Sequence, residues 1–362
     1  MLLPIRATGT TLTVEQAKIL DDEFFLSKPL AHFSARIATL LEAHRSGQYP
    51  TPEGETEFFK ALGLTETDQL LSFSEQERRV QVAIDGLALR HQAAEALTRF
   101  IYALAVSEPR NGDARCVWLA VADSPTQMID VVEANKAALQ ANQRTFLDLF
   151  LPPGTVVDAT PLEAANTAIA WLNHAVSMLT GDELSVNAAN NKVKHGLAVS
   201  ARGDVRVEFI TSAPDADGNI PLSAFGEGKS VPIFDRPMLT YLSRPHTRPK
   251  QGWEAISLRV DLPVVLAEAW MMANVYAALF HVAARKHYGD LIPDGVAPYP
   301  TLVVGRLPEH VIGGRPLGYR SAVTLPPDGT TPPRRAGIFF HGSFLPIEVD
   351  FDNKIQGRVV AD

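Results

Sequence analysis

The stretch VVLAEAWMMANVYAALFHVAA, Val264 to Ala284, is the most membrane-like run in the chain. Whether it crosses a lipid bilayer or fills a protein core decides the fold. It carries Glu268, Asn274 and His281, and it follows Asp261-Leu262-Pro263. A carboxylate, an amide and an imidazole are costly in hydrocarbon, so the run is expected to be a core helix spanning Asp261–His287. On a 100° wheel, Asn274, His281 and Arg285 fall at i, i+7 and i+11, in one stripe with Ala267 and Ala278. Large apolar residues (Leu266, Met271, Val275, Leu279, Phe280) surround that stripe. On so apolar a helix, the stripe either faces water or lines a pocket.

Working outward, the residues before this helix divide in two. The first half carries helical signals. Thr13 with Gln16 at N3 makes a capping box for a helix through Phe24. Pro29 separates it from a second helix over about Leu30–His44. A break at Tyr49–Gly54 precedes a short helix near Glu55–Leu62. Longer helices are expected over Ser74–Val106, over Pro125–Phe150 and from Thr160-Pro161 to about Leu179. After His195 the period becomes two. Val205, Val207 and Phe209 alternate with Arg206, Glu208 and Ile210, and Arg202-Gly203-Asp204 sits where a hairpin turn is wanted. Strands are expected at Ser230–Phe234, Met238–Leu242, Glu254–Val260, Thr301–Val304, Gly337–Phe344 and Ile347–Phe351.

The expected fold is therefore α+β: a multi-helix bundle, a β-hairpin or small sheet, one long apolar helix and a Pro/Gly-rich tail containing strands. The division falls into residues 1–195, mainly helical, and 196–362, mixed, with helix 261–287 packing back onto the bundle. At 362 residues and 46% hydrophobic content, a sizeable core is expected. A single cysteine, Cys116, excludes an internal disulfide and a Cys-based zinc site. The net charge of −8 disfavours unspecific nucleic-acid binding by the whole molecule. Contact with nucleic acid is confined to local basic loops, through Arg244, Arg248, Lys250, Arg334 and Arg335. The chain is expected to be soluble and cytoplasmic, with no membrane partner.

Catalytic motifs fail on spacing or context. Gly226-Glu227-Gly228-Lys229-Ser230 ends like a phosphate-binding loop, but Ser223 stands where its first glycine belongs. No HExxH, no Glu-x-x-His pair and no Gly-x-Ser-x-Gly elbow occurs, and neither a metal nor a nucleotide cofactor is expected. His341-Gly342-Ser343 suits a strand ending in a turn. His91 and Glu95 lie one turn apart on a polar stripe. Arg90 falls beside Leu97 and Ile101 on the apolar face, and two readings stand open for it. Either it snorkels to water, or it pairs, buried, with a carboxylate from another helix.

Asn187 to Val199, NAANNKVKHGLAV, is the densest polar cluster. Asn187, Asn190, Asn191, Lys194 and His195 share one helical face opposite Val186, Ala189 and Val193, and Gly196 suits a helix end. Helical-bundle ribonucleases of the HEPN superfamily place an Arg four to six residues before such a His. This stretch lacks that Arg and does not assign the chain to them. The leading expectation is a binding or regulatory protein that contacts a protein or small-molecule ligand. The ligand-lining candidates are Asn187, Asn190, Asn274, His281, Arg285, Arg90, His91 and Glu95. The alternative is a metal-independent nuclease or phosphodiesterase. There His195 serves as general acid/base, Lys194 stabilises phosphate charge and Asn191 orients the substrate.

Overall fold

The computed structural model describes residues 5–46, 61, 63, 74–110, 112–142, 144–210, 212–225, 228–245, 252–327, 329–347 and 358–360. The break at 49–54, the short helix near 55–62, Arg248, Lys250, most of Ile347–Phe351 and part of the Gly226–Ser230 loop lie outside them.

The architecture is α+β. Among the described residues, eight helices come first: α1 (Val14–Phe25), α2 (Pro29–Ser46), α3 (Glu75–Ala105), α4 (Val117–Ala122), α5 (Met128–Ala141), α6 (Arg144–Phe150), α7 (Ala159–Thr180) and α8 (Val186–Lys194). Capping sets the starts. The Thr13 side chain accepts from Gln16 N while Gln16 returns to the Thr13 backbone, and Ser74 and Glu77 do the same for α3. The helix expected over Pro125–Phe150 is two helices. Asn142 adopts an extended conformation (φ −144°, ψ 103°), and its Oδ1 accepts from Arg144 N at 3.0 Å, opening α6 where α5 stops.

The strands are β1 (Val199–Arg202), β2 (Val207–Ile210), β3 (Asn219–Pro221), β4 (Ser230–Phe234), β5 (Met238–Ser243) and β6 (Glu254–Arg259). Then come α9 (Leu262–Tyr288), α10 (Pro308–Ile312), β7 (Gly318–Ala322), β8 (Gly337–Phe340), β9 (Ser343–Pro346) and β10 (Arg358–Val360). An antiparallel six-stranded sheet runs β1-β5-β6-β7-β8-β9. The expected hairpin at Arg202-Gly203-Asp204 does not close: the chain bends there, but β1 pairs with β5 and β2 with β4. β1 offers its edge to the central sheet, and β2 finds a separate partner. Thr301–Val304 is not a strand either. Leu302 and Val303 lie against the helical core, and burial rather than a ladder positions them.

α9 lies within the helical core. Among the described residues it alone has the length and apolarity of a membrane span, and 72% of its most apolar window is buried inside the protein. Its Leu266, Met272, Leu279 and Phe280 pack with Leu89, Leu97, Phe100 and Ile101 of α3 and with Trp171 of α7. Phe24, Phe25, Phe280, Phe100 and Tyr276, in that order, form a chain of ring contacts with centroids 4.8–5.7 Å apart along consecutive pairs. Gly86 of α3 permits the close approach of the start of α9, because a Cβ there would lie 2.5 Å from Leu262 Cδ1. The sheet makes a second core with α3 and α8, around Ala83, Leu87, Ala189, Leu239, Tyr241, Ile256 and Leu258.

Candidate functional site

Helices α3, α7, α9 and α10 and the β8–β9 turn meet at a cleft of about 670 Å³. α3 contributes Arg90 from its apolar face, one turn after Gly86. Snorkelling would carry this side chain out to water, yet Arg90 is only 9% exposed. Its Nη1 donates to Glu268 of α9 at 2.9 Å to Oε1 and 3.1 Å to Oε2. The buried-pair reading of Arg90 therefore holds. α7 contributes His174, whose Nε2 lies 2.7 Å from Glu268 Oε2. Trp171, one turn earlier, meets the His174 ring edge-on at 5.5 Å. From the β8–β9 turn, His341 brings a second imidazole 5.8 Å from the first.

Electrostatics at the floor follow from this geometry. Burial pushes the Glu268 carboxyl up. The charge of Arg90 and the His174 hydrogen bond oppose that and hold it below its ordinary value, so it is a carboxylate at neutral pH. A carboxylate only accepts hydrogen bonds, so His174 Nε2 carries the proton toward it. In the neutral ring, Nδ1 is then an acceptor.

The wall nearest the sheet is held by ion pairs. Arg334 Nε donates to Glu254 Oε1 at 2.8 Å, and its Nη1 donates to Asp182 Oδ2 at 3.0 Å. Arg320 pairs with Glu183, and Tyr241 Oη donates to Ser185 O at 2.7 Å. These contacts tie the turn between α7 and α8 to β5, β6 and β7. Arg259, also on the cleft, is committed to Asp235 at 2.7 Å. The remaining lining is mainly apolar and includes Met178, Leu258, Ile312, Leu317 and Phe339. The cleft presents four carboxylates (Asp182, Glu183, Glu268 and Glu309) against two guanidiniums, Arg90 and Arg259.

The residues singled out from sequence are dispersed. His195 is the exposed C-cap of α8, its N–H donating to Asn191 O, and its ring makes no hydrogen bond among the described residues. Asn191 and Lys194 are exposed beside it. The left-handed φ expected at the glycine of this helix end is shared: Gly196 has φ 135°, and Leu197 has φ 49°. Asn190 edges a small apolar pocket with Leu239. Asn187 turns inward, its Oδ1 3.0 Å from His91 Nε2. Glu95 lies 3.8 Å from His91 Nδ1 and accepts from Arg99 Nε at 2.8 Å. Burial lowers the His91 pKa, with Arg90 and Lys194 adding to the effect; Asn187 and Glu95 oppose it. The stripe on α9 lies outside the cleft and is partly exposed. Asn274 lines a small cavity with Trp171 and Thr301–Val303, His281 Nδ1 contacts Ala297 O at 2.8 Å, and Arg285 is half-buried.

Of the basic-loop residues, Arg334 is buried in its ion pairs. Arg244 stacks over Trp253 at 4.3 Å, and Arg335 is exposed. Burial pushes the Cys116 thiol up to about 11. Among the described residues, no group of three or more His, Cys, Asp or Glu is arranged to hold a metal ion.

Sequence reasoning passed over His174 and His341. The available signal was that α7 carries no charged side chain besides Glu163, which makes a titratable residue in its second half conspicuous. Comparison with protein-family models, with curated proteins and with solved structures returns no match.

Proposed function

We propose that this chain is a small-molecule-binding protein and that the cleft between α7, α9, α10 and the β8–β9 turn is its ligand site. The observation that carries this reading is the buried Arg90–Glu268–His174 cluster opening onto a cavity of ligand size. As a stabilising device, a buried ion pair is poor: apolar residues of similar volume are often as good or better. A cluster of that kind on the floor of a mainly apolar cleft is instead the arrangement by which ligand pockets fix orientation. A volume of about 670 Å³ lies in the range of small-molecule sites. The two guanidiniums on the cleft, Arg90 and Arg259, are each paired with a carboxylate, which leaves no free guanidinium among the described lining to attract a phosphodiester. His195 lies on the exposed end of α8 outside the cleft, with no ring hydrogen bond among the described residues, and adds no support to nuclease chemistry. The reading calls for no metal or nucleotide.

The test is a ligand screen by thermal shift on the native protein and on Ser177→Trp. Ser177 is exposed on the cleft wall, so the indole fills space without burying a clash in the core. A ligand at 100 times its Kd stabilises by about 2.7 kcal/mol. Compounds that shift the native protein and not Ser177→Trp support the site. Equal shifts in both proteins place binding elsewhere and overturn it.

A further inference from the structure

Besides the cleft, a second space of about 480 Å³ opens between α5 and α7. Val132 and Leu139 of α5, Phe146 of α6 and Ile169, Leu172 and Val176 of α7 give it an apolar lining. α7 separates it from the cleft: His174, Ser177 and Met178 line the cleft side, and Asn173 stands on the ridge and lines both. Protein interiors hold few voids larger than a water molecule. Apolar surface left in a groove of this size therefore reads as a place for a ligand.

The polar groups of the groove sort by access. Asn135 is 3% exposed and its Nδ2 donates to Thr98 O at 2.8 Å, so its amide belongs to the packing of α5 on α3. Lys136, Gln140 and Asn173 are exposed and stand at the mouth. Lys136 makes no hydrogen bond or ion pair among the described residues, not even with Glu133 one turn earlier. The chain carries a net charge of −8, yet the lining of this groove holds a cation and no carboxylate. One ammonium balances a singly charged head group, whereas a phosphate dianion calls for further cations. Along α5, Val132 to Gln140 rises about 12 Å at about 1.5 Å per residue, room for an alkyl chain of medium length.

We propose that this groove is a second binding site, for a medium-chain alkyl carboxylate. Its chain lies against Leu139, Phe146 and Leu172, and its carboxylate pairs with Lys136 at the mouth. The cleft has no part in this assignment, so either site can fail without the other. Hexanoate, octanoate and decanoate are titrated calorimetrically below their micelle concentrations, with octylammonium and 1-octanol as controls. The proteins are the native chain, Lys136→Glu, Gln140→Trp and Ser177→Trp. Gln140 and Ser177 are exposed, so each indole fills its own site without burying a clash in the core.

Affinity for the native chain is expected to rise about fourfold per methylene from hexanoate to decanoate, as burial of each CH₂ requires. Octanoate should bind about tenfold more tightly than octylammonium, since an exposed pair gained and a repulsion avoided are each worth up to about fivefold. Lys136→Glu weakens octanoate about tenfold and leaves 1-octanol unchanged. Gln140→Trp abolishes binding, and Ser177→Trp leaves it intact. No binding by any of the three acids, octylammonium binding as tightly as octanoate, or unchanged affinity in Gln140→Trp overturns the proposal. Loss of acid binding in Ser177→Trp moves the acids to the cleft and overturns it too. So does a native dimer in sedimentation that Gln140→Trp dissociates, which gives the groove to a second copy of the chain. Should Gln140→Trp fail to fold, the contrast between octanoate and 1-octanol in Lys136→Glu decides alone.

Discussion

Replacing Glu268 by Leu removes one member of the buried cluster and leaves the Arg90 guanidinium charged within the helical core. Three hydrogen bonds are lost together: two from Arg90, at 2.9 and 3.1 Å, and one from His174, at 2.7 Å. Arg90 is 9% exposed and Glu268 2%, so water from the cleft replaces the lost partner only in part. Breaking such a pair from one side costs about 3–5 kcal/mol, mostly the penalty of an uncompensated buried charge. Removing both charges in Arg90→Met/Glu268→Leu should return stability to within about 1 kcal/mol of the native protein, because the desolvation cost disappears with the attraction. Urea midpoints of the native, single and double variants measure this, provided the slopes stay equal. The pH dependence gives a second signature. The folded-state pKa of Glu268 is depressed, so its contribution is present above the unfolded value near 4.5 and is lost as pH falls through the folded value. Glu268→Leu should lose that part of the acid sensitivity. A single variant costing under about 1 kcal/mol, or a double variant no more stable than the single, would refute the argument and restore snorkelling for Arg90.

Three other outcomes follow from the same physics. Arg334→Leu strands Glu254, which is 3% exposed, and frees the α7–α8 turn from the sheet; a loss of about 3–5 kcal/mol is expected from denaturant midpoints. His91 has a folded-state pKa below 6.5, so the unfolded chain takes up a proton first. Stability should fall as pH drops from 6.5 toward the folded value, and His91→Gln should flatten that slope in a series of thermal melts. Leu197 holds φ 49° with its side chain 69% exposed, so Leu197→Gly relieves backbone strain at little packing cost; a gain of about 0.5–1 kcal/mol is expected, and a clear loss of stability would contradict the left-handed assignment.

Much of the helical half was legible because its signals are local. Thr13-Gln16 and Ser74-Glu77 announce their helices within four residues, and the core helix 261–287 declares itself by polar residues that lipid would reject. Asn142 was less visible: one amide capping its own neighbour splits what the apolar pattern presents as continuous. The strand pairing was not legible past Arg202, because which edge β1 finds depends on β5, some forty residues later. The site itself was half visible. Arg90 on an apolar face left snorkelling and a buried carboxylate partner both open, and the sequence offers no way to choose Glu268 among the acids. His174 and His341 come together only through the packing of α7 against the β8–β9 turn. His195, surrounded by polar neighbours in sequence, is exposed, and its ring hydrogen-bonds to none of them among the described residues. Sequence proximity made the surface cluster look like a site, and tertiary packing built a buried polar cluster on a cleft elsewhere.

The central claim is that ligands bind where Arg90, Glu268 and His174 meet, and imidazole NMR tests it most directly. The ring 15N and 1H resonances of His174, His341 and His195 are assigned with single His→Gln variants, and a compound that the thermal-shift screen identifies is titrated in. The account predicts an Nε2–H on His174 directed to Glu268, saturable shifts at His174 and His341, and none at His195. Shifts at His195 with His174 and His341 unmoved would contradict it.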